Sequence, residues 1–243
     1  MKMKTEKISV ANGKEESLFL EATSSAAYSI TLAEGAKAEI AIVNFAPTDA
    51  DVEMKVDVEI GKNAELKLIG CTLGGRETKS NVKISQKARS RCEHIEVALL
   101  SGSQRLVAAT NHLHKEPESF SRSSFRFAAA GSAQVSLQGN VEIAKKAAGA
   151  DAHFVAKSLL LSREAIVKVV PMLSVKTGNA KAGHGAAMAP VSLDELFYLE
   201  SRGIDGKEGM RMILEGFLLE LEARQMDKIR SAVAKKIGDV YGI

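Results

Sequence analysis

Tryptophan is absent from the 243 residues, and aromatic residues make up only 5% of them. Base-stacking platforms and aromatic sugar clefts are therefore poorly supplied. Cysteine is nearly as scarce. Cys71 and Cys92 lie in no C-x-x-C and cannot build a disulfide framework or a zinc ribbon. They read as reduced thiols in or near the core. Neither sign of charge dominates: 33 Lys and Arg against 30 Asp and Glu leave a net charge of +3. That balance makes no electrostatic case for nucleic acid or an anionic membrane. No run approaches the ~20 apolar residues that span a bilayer. The opening MKMKTEKISV carries charge with no apolar stretch after it, so no secretory signal is expected. The expected compartment is the cytoplasm.

The usual nucleotide and hydrolase motifs are missing too. GGRETKS (74–80) is the nearest approach to a phosphate loop, but Leu73 and Thr78 stand where its two glycines belong. Lys79-Ser80 reads instead as turn and strand, and no nucleotide is expected on this chain. There is no G-x-S-x-G and no singled-out carboxylate pair, so neither a hydrolase nor a glycosidase is indicated.

What the sequence does have is alternation. Val52, Met54, Val56, Val58 and Ile60 share one face, with Glu53, Lys55, Asp57 and Glu59 on the other. A period of two describes a half-buried strand. Similar runs recur up to residue 190. LAEGAKAEI (32–40), EIGKNAELK (59–67) and ISQKARSRC (84–92) overlay with Gly35, Gly61 and Lys87 in register, 26 residues apart, and Gly131 centres a later copy. A recurring strand–turn–strand unit fits a solenoid. An antiparallel sandwich with regular turns fits as well.

After Pro190 the period becomes helical. Ser192 and Glu195 make a capping box, the helix LDELFYLESR stops at Gly203, and Asp205 offers a second N-cap with Glu208 three residues on. Met210, Ile213, Leu214, Phe217, Leu218 and Leu221 form an apolar stripe, continued by Met226, Ile229, Val233, Ile237 and Val240. These stripes suit packing on the β part or docking of another protein. The expected division is a β core over 1–190 and a helical domain over 191–243.

Histidine supplies the candidate ligands. His112 and His114, two apart, share one face of a strand. They could grip a metal with a third ligand from a neighbouring rung, or merely line a polar face. His153 reads as filler at a sheet edge. His184, in KAGHGAAMAP, falls in a Gly/Ala-rich segment read as joining the last strand to the helices. That context suits a ligand position or a plain linker.

Two stretches carry a resemblance. VKTGNAKAGHGAAMAPVSLDELFYLESRGIDGKEGMRMILEGFLLEL (175–221) is similar to the signature region of the SufB/SufD family, the scaffold subunits of the Suf iron–sulfur assembly machine. His184-Gly185 and LFYLESRGI (196–204) match the family pattern, and residues 111–162 resemble its core. The resemblance implies a right-handed parallel β-helix, a solenoid, followed by a small C-terminal helical domain, here in a core-only form. It implies a non-enzymatic scaffold that pairs through its β-helix with a SufB-like paralogue or a second copy of itself. It further implies that Leu196, Phe197, Tyr198, Leu199, Arg202, Gly203 and Ile204 form the docking region for a SufC-like ABC ATPase. His184 matches a histidine at the scaffold interface of SufD, where a transient iron–sulfur cluster would be shared with the partner. Two positions depart from the pattern: Ala165 and Ala182 stand where family members carry cysteine. The chain is SufD-like by that test. An ATPase-binding adaptor without a cluster role is the alternative.

Overall fold

The computed structural model describes residues 3–220, 224 and 226–241. Fourteen strands come first: β1 (Lys4–Val10), β2 (Glu15–Ala22), β3 (Ala26–Leu32), β4 (Lys37–Asn44), β5 (Asp51–Ile60), β6 (Glu65–Thr72), β7 (Glu77–Gln86), β8 (Arg91–Leu100), β9 (Arg105–His114), β10 (Phe120–Ala129), β11 (Gln134–Ile143), β12 (Ala150–Leu160), β13 (Ile166–Val175) and β14 (Ala180–Pro190). Three helices follow: α1 (Leu193–Ser201), α2 (Gly206–Leu218) and α3 (Met226–Tyr241). Odd strands form one seven-stranded sheet and even strands another, and neighbours within each sheet run parallel. The chain therefore coils, laying one strand in each sheet per turn. This is a parallel β-solenoid and not a sandwich of antiparallel sheets.

The coil is not of constant length. Glu15 sits beside Lys37, Asp51 beside Glu77, and Gln134 beside Ile166. This variation corrects the expected overlay. One corner repeats a left-handed residue, occupied by Gly13, Gly35, Asn63, Arg89, Glu118 and Gly149, all with φ between 55° and 75°. The turn partner of Gly35 is thus Asn63, not Gly61. Gly61 and Lys87 are equivalent, each donating its N–H one coil back, to Leu32 and Ile60. Gly131 belongs to the opposite corner, where it packs on Gly102. A left-handed corner favours Gly or Asn, because a β-carbon crowds the following carbonyl there. Arg89 and Glu118 are held in it by a ladder between coils. Arg89 N donates to Pro117 O at 2.9 Å, and Glu118 N to Ala148 O at 2.9 Å.

Alternation places the core between the sheets, as β5 shows: Val52, Met54, Val56, Val58 and Ile60 are all buried. Burying each such side chain contributes about 1.5–3 kcal/mol. An aliphatic cluster fills the early coils, and a cluster rich in Phe125, Phe127 and Phe154 fills the later ones. A polar band on β8, β9 and β10 lies between them, with His94, His112, His114, Ser121 and Ser123 all buried.

The outer face of the even sheet carries a third cluster. Leu214 and Leu218 of α2, and Ile229, Val233 and Ile237 of α3, bury against Val43, Ile69, Ile95, Val97 and Leu99. Met210 and Phe217 pack at its margin. Leu221 and the side chain of Met226 lie outside the described residues. The two N-cap side chains act where the sequence places them. Ser192 Oγ accepts from Glu195 N at 3.1 Å, and Asp205 Oδ1 from Lys207 N at 2.9 Å. Gly203 takes a φ of 81° just after α1. The segment around His184 is not a join between strand and helix. It is β14 itself, paired along its whole length with β12.

Candidate functional site

The last coil is an uncovered end. No strand among the described residues pairs with the far side of β13 or β14, so both present free backbone donors and acceptors. Parallel pairing keeps register partners on one face, which tells where their side chains belong. Leu173 and Val175 align with Val141 and Ile143, His184 with Phe154, and Met188 with Ser158. The partners in the preceding coil are buried, whereas Leu173 and Val175 are 36% and 43% exposed and Met188 is 52% exposed. These are inward-facing side chains with no further coil to cover them. His184 is exposed among them, flanked by Gly183 and Gly185.

The interior histidines are placed differently. His112 and His114 do share the inner face of β9, and neither is exposed. His114 Nδ1 and Nε2 lie 2.8 and 2.9 Å from the hydroxyls of Ser119 and Ser121, so both nitrogens are engaged. His112 Nε2 lies 3.2 Å from His94 Nδ1, and His94 Nε2 lies 3.0 Å from Glu96 Oε1. Burial holds the His112 imidazole well below its ordinary pKa, and drops His114 to about 4. Both are therefore neutral hydrogen-bonding groups at pH 7. Among the described residues, no three His, Cys, Asp or Glu converge as a metal-holding group. The structure brings His112 beside His94 and leaves His184 on the outer end of the coil. His153 is surface-exposed and meets Asp151 at 2.9 Å. Sequence reasoning passed over Glu96, yet it sits two residues after His94 on the inward register of β8, where alternation calls for an apolar group.

Neither cysteine offers a thiolate. Cys71 and Cys92 are free and fully buried, and burial pushes both thiols far up. Ala165 is buried at the start of the last coil, and Ala182 packs in β14 against the second core cluster.

A second exposed surface lies on α1, in which no residue is buried. Leu196 and Leu199 turn toward α2, where a β-carbon on Gly209 would come within 3.0 Å of Leu196 Cδ1. Ile204 is half-buried just beyond. The opposite side projects Leu193, Phe197 and Tyr198, with Phe197 71% exposed. Arg202 lies over the Tyr198 ring and donates to its hydroxyl at 3.3 Å. Tyr198, Leu199, Met212 and Ile213 line an apolar groove with Asp194 and Glu195 at its rim. Leu193, Phe197 and Tyr198 thus make an exposed apolar patch. No helix among the described residues is long and apolar enough to cross a membrane.

Comparison with known proteins supplies the family. The model for "SUF system FeS cluster assembly, SufBD core domain" matches residues 5–217. An iron–sulfur cluster assembly SufBD family protein of Synechocystis is 26% identical over 166 residues, covering 66% of this chain and 36% of the relative. One of Staphylococcus epidermidis is 28% identical over 163 residues, covering 67% and 32%. A chloroplastic one of Arabidopsis thaliana is 28% identical over 141 residues, covering 58% and 25%. The matches thus take in between a quarter and just over a third of the length of these relatives.

Proposed function

The chain belongs to the SufBD family of iron–sulfur cluster assembly proteins, and on that premise we propose that it is a non-catalytic, cytoplasmic scaffold subunit worked by a separate ATPase. The observation that carries this reading is the division of labour among the three helices. Two are packed on the solenoid, and the third offers Leu193, Phe197 and Tyr198 to a partner. The partner is a SufC-like ABC ATPase seated on the α1 groove. Force applied there has a path inward. α1 rests on α2 through Leu196 and Leu199, and α2 is tied to β10 by Arg126.

The uncovered coil is the proposed pairing surface, for a SufB-like paralogue or a second copy of this chain. Leu173, Val175 and Met188 would complete their core across the joint, and the free edges of β13 and β14 would find hydrogen-bond partners. His184 would then face the joint and hold a transient iron–sulfur cluster together with ligands from the partner, since thiolates are the usual ligands and none is exposed here. The chain binds no nucleotide, nucleic acid or membrane in this reading.

Copurification with a SufC-like ATPase tests it. The wild-type chain is expected to form a complex that Phe197→Asp with Tyr198→Ser abolishes. Both side chains are exposed, so folding should be unaffected. Equal binding by the double variant contradicts the docking surface. A second reading, an ATPase-binding adaptor without cluster chemistry, is favoured by Ala165 and Ala182 and by the two buried thiols. It predicts ATPase binding with no cluster formed in the presence of every partner.

A further inference from the structure

The polar band inside the solenoid contains a group that an apolar core does not tolerate without compensation. Glu96 projects inward from β8 in the coil where its neighbour on β6 is Gly70. A β-carbon on Gly70 would lie 2.2 Å from the Glu96 carboxylate, so only glycine leaves room for it. Oε1 is taken by the His94 imidazole. A His94 that donates from Nε2 to the carboxylate and accepts at Nδ1 from His112 Nε2–H satisfies both contacts. The two imidazoles thus orient Glu96.

Beside the carboxylate are two small cavities of about 30 and 10 Å³, which share Thr72, Ser80 and Glu96 as walls. That is room for one or two species the size of a water. Thr72 comes from β6, Ser80 from β7 and Thr110 from β9, so hydroxyl-bearing residues of both sheets line the cavity beside Glu96. Thr110 is buried and its Oγ1 has no hydrogen-bond partner. No Lys or Arg lines either cavity. The Glu96 side chain keeps only 17% exposure, and drawing a carboxylate this far from water without a cation beside it is costly.

We propose that the Glu96 cavity is a binding site for one monovalent alkali cation, held by the carboxylate and the hydroxyls of Thr72, Ser80 and Thr110. An all-oxygen set selects a hard cation. A single carboxylate balances a single positive charge. The site draws Gly70, Glu96 and the inner faces of four strands together, and so ties the middle coils to one another. It is independent of the scaffold reading and of either exposed surface.

The test uses the whole chain, exchanged into choline chloride and then titrated with sodium, potassium or rubidium chloride at constant ionic strength. At least one alkali ion is expected to raise the melting temperature saturably, by roughly 2–4 °C at several times its dissociation constant. Glu96→Gln should abolish the rise, and crystals grown in rubidium should show an anomalous peak beside Glu96. Thr110→Val removes one oxygen and no charge, and should weaken the rise even where Glu96→Gln fails to fold. An identical melting temperature in choline and in every alkali salt overturns the proposal. So does a rise that Thr110→Val leaves unchanged.

Discussion

Arg126, on the outer face of β10, donates to the backbone carbonyl of Phe217 near the end of α2 across 3.1 Å. Its other nitrogen meets Glu220 at 2.7 Å, and its guanidinium stacks over the Phe217 ring. The arginine is nearly buried while Glu220 is largely exposed. The neutral carbonyl bond and the stacking therefore matter more than the ion pair, which solvent screens. This one side chain joins the helical layer to the middle of the even sheet.

Arg126→Met keeps the apolar stem over Phe217 and removes the donor. The cost is expected to be about 1–3 kcal/mol, from a carbonyl left without its partner. The loss should be local. Amide hydrogen exchange is expected to quicken in α2 and α3 and to stay unchanged in β5 and β7. Uniform acceleration across the solenoid would show that the contact supports the whole fold and not the helical layer.

Gly70→Ala sets a methyl against the Glu96 carboxylate. Neither group can withdraw easily, since His94 holds Glu96 and the pleat holds the backbone. Destabilisation of about 1–3 kcal/mol is expected in urea unfolding. Gly216→Ala in α2 is the contrast. A β-carbon there meets nothing within 4 Å, so helix propensity alone decides, and a gain of about 0.5–1 kcal/mol is expected.

Much of this architecture was legible beforehand, and the misses have physical causes. Alternation in β5 fixed the buried face, because each side chain of a strand must choose one side. The capping groups of Ser192 and Asp205 acted where they stand, since capping is decided within four residues. A constant spacing misplaces the corner register of Gly35, because coil length varies. KAGHGAAMAP reads as a join between strand and helix because small residues lack strand propensity. In the fold it is an edge strand whose pairing with β12 overrides propensity. Glu96 carries no functional signal in the sequence, because its setting depends on Gly70, distant in sequence, and on residues from other coils. The split between α2, packed on the sheet, and α1, which buries no residue, is also illegible in the sequence, since both helices carry large apolar side chains.

Acid should destabilise the fold through the interior histidines. His114 has a folded pKa lowered to about 4 by burial, against 6.5 when unfolded. His112 is lowered in the same way. Above pH 6.5 both states are neutral and the full stability is present. As pH falls from 6.5 toward 4, the unfolded chain takes up protons that the folded one refuses, and stability drops. His114 alone accounts for a loss of roughly 3 kcal/mol across that window. Urea unfolding of wild type and His114→Asn between pH 7.5 and 4.5 checks this. The variant should show the shallower decline, and parallel curves would contradict the assignment.

The account turns on the uncovered coil as the place where a cluster is held between scaffold subunits. The direct measurement is anaerobic reconstitution of the chain with iron, sulfide, a SufC-like ATPase and a SufB-like paralogue, followed by visible absorption. The account predicts cluster absorbance in the wild-type complex and its loss in a His184→Ala complex that still assembles. Absorbance unchanged by His184→Ala, or none in the complete wild-type complex, would contradict it.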